Sequence, residues 1–378
     1  MATVATTVLA VLIGAVAVLG GVIAGGRAVR RLGEARRARL AAPARRRLLA
    51  LAAGDDDPEV LEALVALPPG IWRAVEPTAV ALLGKVRGEA YAALVSVLER
   101  RGMADRALRD LHRWGAVRRA RAAEVLGNLR RGDAVRPLRR LLTDPDPDVR
   151  TVAVRALGRI GHPDSATPLL ETLVGARPVP PQFVAQALMG LGPPAQPFVE
   201  AGLGHAEELV RATAAEVLGL VGAIGATARL VRALREDASL EVRLRAARAL
   251  GKLGTRNALP PLLDAVDPAN PAALRAVAVR ALGEIGAPSA VPVLTGLLAD
   301  AKHAVAHRAA YGLLRLGRPG RAALGEAAAG DGLAAAYARE ALAVVELDER
   351  RRVGGAAAWD AESADEHAVD AEPAAVGG

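Results

Sequence analysis

The sequence predicts an all-α fold: an α-solenoid of stacked helical hairpins with one N-terminal transmembrane helix. Two observations predict the stack. Residues 274–286, LRAVAVRALGEIG, recur as 149–161 and 242–254, with weaker copies beginning at Val117, Val210 and Val305 and a degenerate one at 184–192. The glycine that marks the register falls at 127, 158, 190, 219, 251 and 283, at intervals of 29 to 32 residues, and Leu314 takes its place in the next copy. A period of that length with no shared catalytic residue indicates supersecondary units stacked on one another. A third observation predicts the span: residues 4–26 contain no charged side chain.

The span comes first in the chain. At 1.5 Å per residue, a helix over 4–26 reaches roughly 35 Å, enough for the hydrocarbon core of a bilayer. A cleaved signal peptide would carry a basic leader and a shorter apolar core, and neither is present. Gly14, Ala17, Gly21 and Gly25 recur every three or four residues, so small side chains on one face could pack closely against another helix in lipid.

Residues 27–47 follow with nine arginines and one glutamate. Basic flanks stay on the cytoplasmic side, which places the repeats in the cytoplasm and the span in the cell membrane. The same block would lie near anionic headgroups. A nucleic-acid reading is set aside, because the aromatic side chains that stack bases are missing from its neighbourhood.

Residues 48–113 read as divergent hairpins that cap the stack, as terminal repeats often do. Helices are expected at about 60–67, 77–85, 88–101 and 103–113, with Pro68-Pro69-Gly70 breaking the first.

Residues 114–347 hold the repeats. In the copy at 149–161, Val149, Ala153, Ala156, Leu157 and Ile160 share one helical face, and Arg150, Arg155 and Arg159 are expected to point away from it. Gly161, Gly254 and Gly286 follow the last apolar residue, where a left-handed C-cap needs no Cβ. Glycine inside a helix costs about 1 kcal/mol against alanine, so Gly158, Gly251 and Gly283 suggest close helix approach. A second helix opens in each copy with a proline near its start, such as Pro168, Pro260 or Pro292, where its lost N–H matters least. Asp144, Asp237 and Asp300 precede the next copy and can cap its turn. From 348 the pattern stops, and residues 353–378 carry six acidic and no basic side chains, the composition of a disordered acidic tail.

These repeats resemble the bacterial HEAT-like repeats, of the short Ala-Leu-Gly type also found in phycobilisome lyases. The resemblance implies a right-handed solenoid with a concave binding surface. It does not define an activity, since that fold serves scaffolds, adaptors and a few enzymes alike.

Composition narrows the chemistry. The chain has no cysteine and 2% aromatic residues, so alanine, leucine and valine must fill the core, which poorly suits a deep ligand pocket. His303 and His307 stand at i and i+4, but a zinc-protease helix would need H-E-x-x-H. No His-Glu dipeptide occurs, so the iron-binding pairs of the similar deoxyhypusine hydroxylases are not present. Neither a phosphate-binding glycine loop after a strand nor a GxSxG turn is found. No enzyme activity, cofactor or metal is expected.

Charge singles out one stretch. Residues 99–140 carry thirteen basic and five acidic side chains, whereas 141–352 are nearly balanced, with 24 and 22. Arg118, Arg119 and Arg121 on a first helix, with Arg136, Arg139 and Arg140 on the following second helix, are the expected partner-binding residues. Their partner would be an acidic protein surface or anionic headgroups. The expected function is a membrane-anchored cytoplasmic scaffold or adaptor mediating protein–protein interaction. Alternatives are an accessory subunit of a membrane enzyme such as a glycosyltransferase, or a lyase-type enzyme.

Overall fold

A computed structural model describes residues 39–55 and 57–347. The expected span at 4–26 with its stripe of small residues, the first part of the basic segment 27–47, and the tail from 348 lie outside the described residues. Among the described residues all regular elements are helical. No helix among them is long and apolar enough to cross a membrane. The chain divides into two compact units after Ile160.

The first unit contains α1 (39–52), α2 (Pro58–Val65), α3 (Pro69–Leu83), α4 (Gly88–Arg100), α5 (Met103–Asp110), α6 (Ala116–Asn128), α7 (Val135–Arg140) and α8 (Pro147–Ile160). Helix α3 starts at Pro69 and runs through Pro77. The proline pair therefore opens this helix instead of merely separating two others, because a first turn has no use for the proline N–H. The divergent helices are tied in by long polar side chains. Arg101 donates to the carbonyls of Val65 and Leu67 at 2.6 and 2.7 Å and lies 4.7 Å above the Trp72 ring. Tyr91 donates to the Asn128 carbonyl at 2.9 Å, which joins α4 to the end of α6.

Helices α6 and α8 pack side by side. The contact is between small residues: a Cβ built on Gly127 would lie 2.6 Å from the Ala156 Cα. The apolar face expected of α8 is buried at Val149, Ala153, Ala156 and Leu157. Asp146 caps it, accepting from the Asp148 and Val149 amides at 2.9 and 3.3 Å.

The second unit continues the pattern with α9 (Ala166–Glu171), α10 (Pro181–Gly190), α11 (Gln196–Ala201), α12 (Glu208–Leu220), α13 (Thr227–Glu236), α14 (Leu240–Leu253), α15 (Leu259–Ala265), α16 (Ala272–Ile285), α17 (Val291–Gly296), α18 (His303–Arg315), α19 (Arg318–Ala328) and α20 (333–347). The first helices α10, α12, α14, α16 and α18 pack in succession. The nested contact repeats: a Cβ on Gly219 would meet Ala249 at 2.6 Å, one on Gly251 would meet Ala281 at 2.7 Å, and one on Gly283 would meet Gly312 at 3.0 Å. Gly127, Gly219, Gly251 and Gly283 thus each receive the residue two places before the next register position. This approach is the gain that offsets an internal glycine's entropic cost. The C-cap expectation holds as well, with φ of 63° at Gly254 and 73° at Gly286.

Candidate interaction surface

The arginines of the repeats divide into two groups by what their guanidinium groups touch. Arg119 on α6 makes a two-pronged bond to the Asp144 carboxylate at 2.8 and 2.9 Å. Asp144 also accepts from the Asp146 amide at 3.0 Å. Arg150, 7% exposed, donates to the carbonyls of Asp144 and Pro145 at 2.8 and 3.1 Å. In the second unit, Arg211 holds Asp237 at 2.7 and 3.0 Å and the carbonyls of His205 and Ala206 at 2.9 and 2.7 Å. Arg275 holds Asp300 at 2.9 Å, and Arg243 meets Asn270 at 2.8 Å in the corresponding place. Asp237 and Asp300 each cap the following turn, through the Ser239 and Lys302 amides at 2.9 and 2.8 Å.

Two expectations are corrected here. Arg150 does not point away from the core: its alkyl stem lies along the repeat and its head satisfies turn carbonyls. Arg119 is not a free partner-binding residue, because it bonds to Asp144. The Arg119 bond also sets the register. It occupies the place of Arg150, Arg211, Arg243 and Arg275, so Arg118 stands where buried Val149, Val210 and Val242 stand. The copy assigned to Val117 therefore begins one residue later, and Val117 is 82% exposed.

The electrostatics follow the contacts. Burial acts to raise the Asp144 carboxyl. The Arg119 hydrogen bond, the Asp146 amide and the charges of Arg119 and Arg150 outweigh it and hold the group below the usual carboxylate range. Asp237 is held low in the same way, with burial opposed by Arg211 and the Ser239 amide. These pairs close turns between helices.

The second group consists of Arg118, Arg121, Arg136, Arg139 and Arg140. All are exposed, and none forms an ion pair among the described residues. Arg121 lines a hollow of about 710 Å³ bounded by Pro77, Val80 and Ala81 of α3, Val117 and Ala120 of α6, and Val152 of α8. Arg118 and Arg121 also line a second, smaller hollow with Glu76, Arg106 and Asp110. Arg136, Arg139 and Arg140 stand on the short α7 and line neither hollow. Sequence reasoning missed the exposed side chain at this corner, Trp114, which is 96% exposed. Its only signal was a tryptophan directly before the glycine that opens a helix.

His303 and His307 are both engaged by side chains of α20. His303 Nδ1 lies 2.8 Å from the Tyr337 hydroxyl, and His307 Nε2 lies 3.5 Å from Glu340, so both face α20. Among the described residues no group of three His, Cys, Asp or Glu side chains is placed to hold a metal ion.

The fold is that of an all-α helical-repeat protein, a solenoid of hairpins. The sequence matches the family of HEAT repeats over residues 107–192, 195–273 and 227–315, more than half of the chain, and the chain belongs to that family. No curated protein matches it. Among solved structures, a Kap121p mutant is 13% identical, with a TM-score of 0.49 over 78% of this chain. This chain spans only 38% of the Kap121p chain. The complex of CpcE and CpcF of phycocyanin lyase from Nostoc sp. PCC7120 is 24% identical over 59% of this chain and 92% of that one, with a TM-score of 0.31. Human deoxyhypusine hydroxylase is 19% identical over 76% and 96%, with a TM-score of 0.28. None of these likenesses carries an activity across to this chain.

Proposed function

We propose that this chain is a non-enzymatic scaffold, held at the cytoplasmic face of a membrane, whose HEAT repeats recruit a protein with an acidic surface. The division among the arginines carries the reading. The repeats use Arg119, Arg150, Arg211 and Arg275 to close their own turns. Arg118, Arg121, Arg136, Arg139 and Arg140 serve no such contact among the described residues, and they fall within the one strongly basic stretch of the repeats. The anchor is supported by the uncharged residues 4–26 and the nine arginines at 27–47. Gly14, Ala17, Gly21 and Gly25 would give it a face for a partner's helix. Confining scaffold and partner to the membrane raises their effective concentration without any new contact.

Crosslinking and affinity purification from native membranes tests the reading, comparing the natural chain with one carrying Arg136→Glu, Arg139→Glu and Arg140→Glu. The natural chain should retain a partner that the variant loses. Equal recovery would refute the basic surface. A reporter fused after Gly378 should be active only in the cytoplasm, and an extracytoplasmic signal would refute the anchor's orientation.

A further inference from the structure

We propose that the corner between α5 and α6 inserts into a bilayer containing anionic lipid, with Trp114 and Val117 entering the headgroup layer and Arg118 and Arg121 meeting lipid phosphates. The two described tryptophans differ sharply. Trp72 is 3% exposed and lies beneath Arg101, whereas Trp114 is 96% exposed. Gly115, at φ 99°, turns the chain between Trp114 and the helix and leaves the indole outside the packed layer. Trp114, Val117, Arg118 and Arg121 follow at i, i+3, i+4 and i+7, one side of the helix and its entry. Residues 113–121 contain four arginines and no acidic side chain. Of these, Arg119 is bonded to Asp144, and Arg113 meets Asp110 at 3.3 Å on the surface. Arg118 and Arg121 remain for an anion.

An apolar tip ringed by arginine, with tryptophan at its end, is the composition of an interfacial element. Tryptophan is favoured at the headgroup level because its ring is apolar and its N–H still finds a partner. Trp114 lines neither hollow, so it presents no shaped cavity to a folded protein partner. A fluid interface requires none. Glu124, exposed about two turns beyond Val117, would stay on the water side and limit the depth. The inference rests on the membrane reading above and adds a second point of contact to it.

The test uses the full chain carrying Trp359→Phe, reconstituted with vesicles of phosphatidylcholine alone or mixed with phosphatidylglycerol. Emission from Trp114 is separated from that of buried Trp72 by comparison with Trp114→Phe. In phosphatidylglycerol vesicles the emission should shift to the blue and be quenched by brominated acyl chains. Both signals should fall with salt, be lost in Trp114→Phe, and drop several-fold with Arg118→Glu and Arg121→Glu. If the chain associates with vesicles while Trp114 keeps the emission of an indole in water, the inference is overturned and the anchored scaffold stands. If the chain associates with neither vesicle, the membrane reading itself falls. A blue shift that appears only when an acidic peptide is added without lipid would assign the corner to a protein partner and overturn the proposal.

Discussion

On the side of α6 that meets α8, Gly127 lies against Ala156 with no room for a methyl group, and Arg119 is bonded to Asp144. On the opposite side of the first turn stand Val117, Arg118 and Arg121, all exposed. The two sides differ in what the next element brings. Helix α8 brings Ala156 against Gly127, whereas Val117 and Arg121 border a hollow that α3 lines together with Val149 and Val152 of α8. Helix α6 is therefore nested against α8 and leaves Val117, Arg118 and Arg121 exposed at its first turns.

The largest effect should come from filling the nested side. Gly127→Leu places a branched side chain against the Ala156 backbone, which cannot withdraw without moving α8. We expect a loss on the order of 3 kcal/mol, read as a lower urea midpoint. Val117→Leu, on the open side, should stay within about 0.5 kcal/mol of the natural chain. Equal midpoints for the two variants would show that the seam is not nested.

Breaking the arginine–aspartate tie should come next. Asp144→Ala removes both Arg119 bonds and the cap on Asp146, and leaves the guanidinium facing a mostly buried site. A loss of about 2 kcal/mol is expected, against almost none for Arg118→Ala. A double-mutant cycle with Arg119→Ala checks the assignment, since independent losses would mean the two groups do not interact.

Acid should weaken the closed turns and spare the open side. Asp144 and Asp237 are held below the usual carboxylate range in the folded chain. Their contribution is fully present above the unfolded value, about 3.9, and is lost as pH falls through the lower folded value. The thermal midpoint should therefore stay level on acidification to near pH 4 and then drop. Asp144→Asn should flatten part of that drop, and an unchanged profile would count against the pair.

The smallest stability effect should come from the open side itself. Arg118→Glu with Arg121→Glu should shift the midpoint by no more than about 0.5 kcal/mol, despite reversing two charges. A large shift would mean that these side chains belong to the packing.

Much of the stack was legible because glycine is so constrained. The recurring internal glycines predicted close approach, and Gly254 and Gly286 predicted helix ends, since few other residues fit either place. Hydrophobic periodicity failed where a side chain is both polar and buried. Arg150 reads as surface by its charge, although its stem packs and its head replaces water at two carbonyls. The missed signal was the recurrence of arginine at 119, 150, 211, 243 and 275. That series would also have corrected the register at Val117. The exposed corner was less legible, because a lone tryptophan beside a glycine reads equally well as a helix entry or a core anchor. Only its surroundings distinguish the two.

Leu314 stands at the register position that glycine holds in the preceding first helices, and Gly312 already receives Gly283 from the other side. A further first helix could not settle on α18 at the spacing of its predecessors. Helix α20 meets α18 instead through His303 with Tyr337 and His307 with Glu340. A stack built from near-identical contacts is open-ended in principle, and head-to-tail contacts that never close produce fibres. The leucine makes the last surface unlike those before it, so the run of nested glycine contacts stops at α18 by shape.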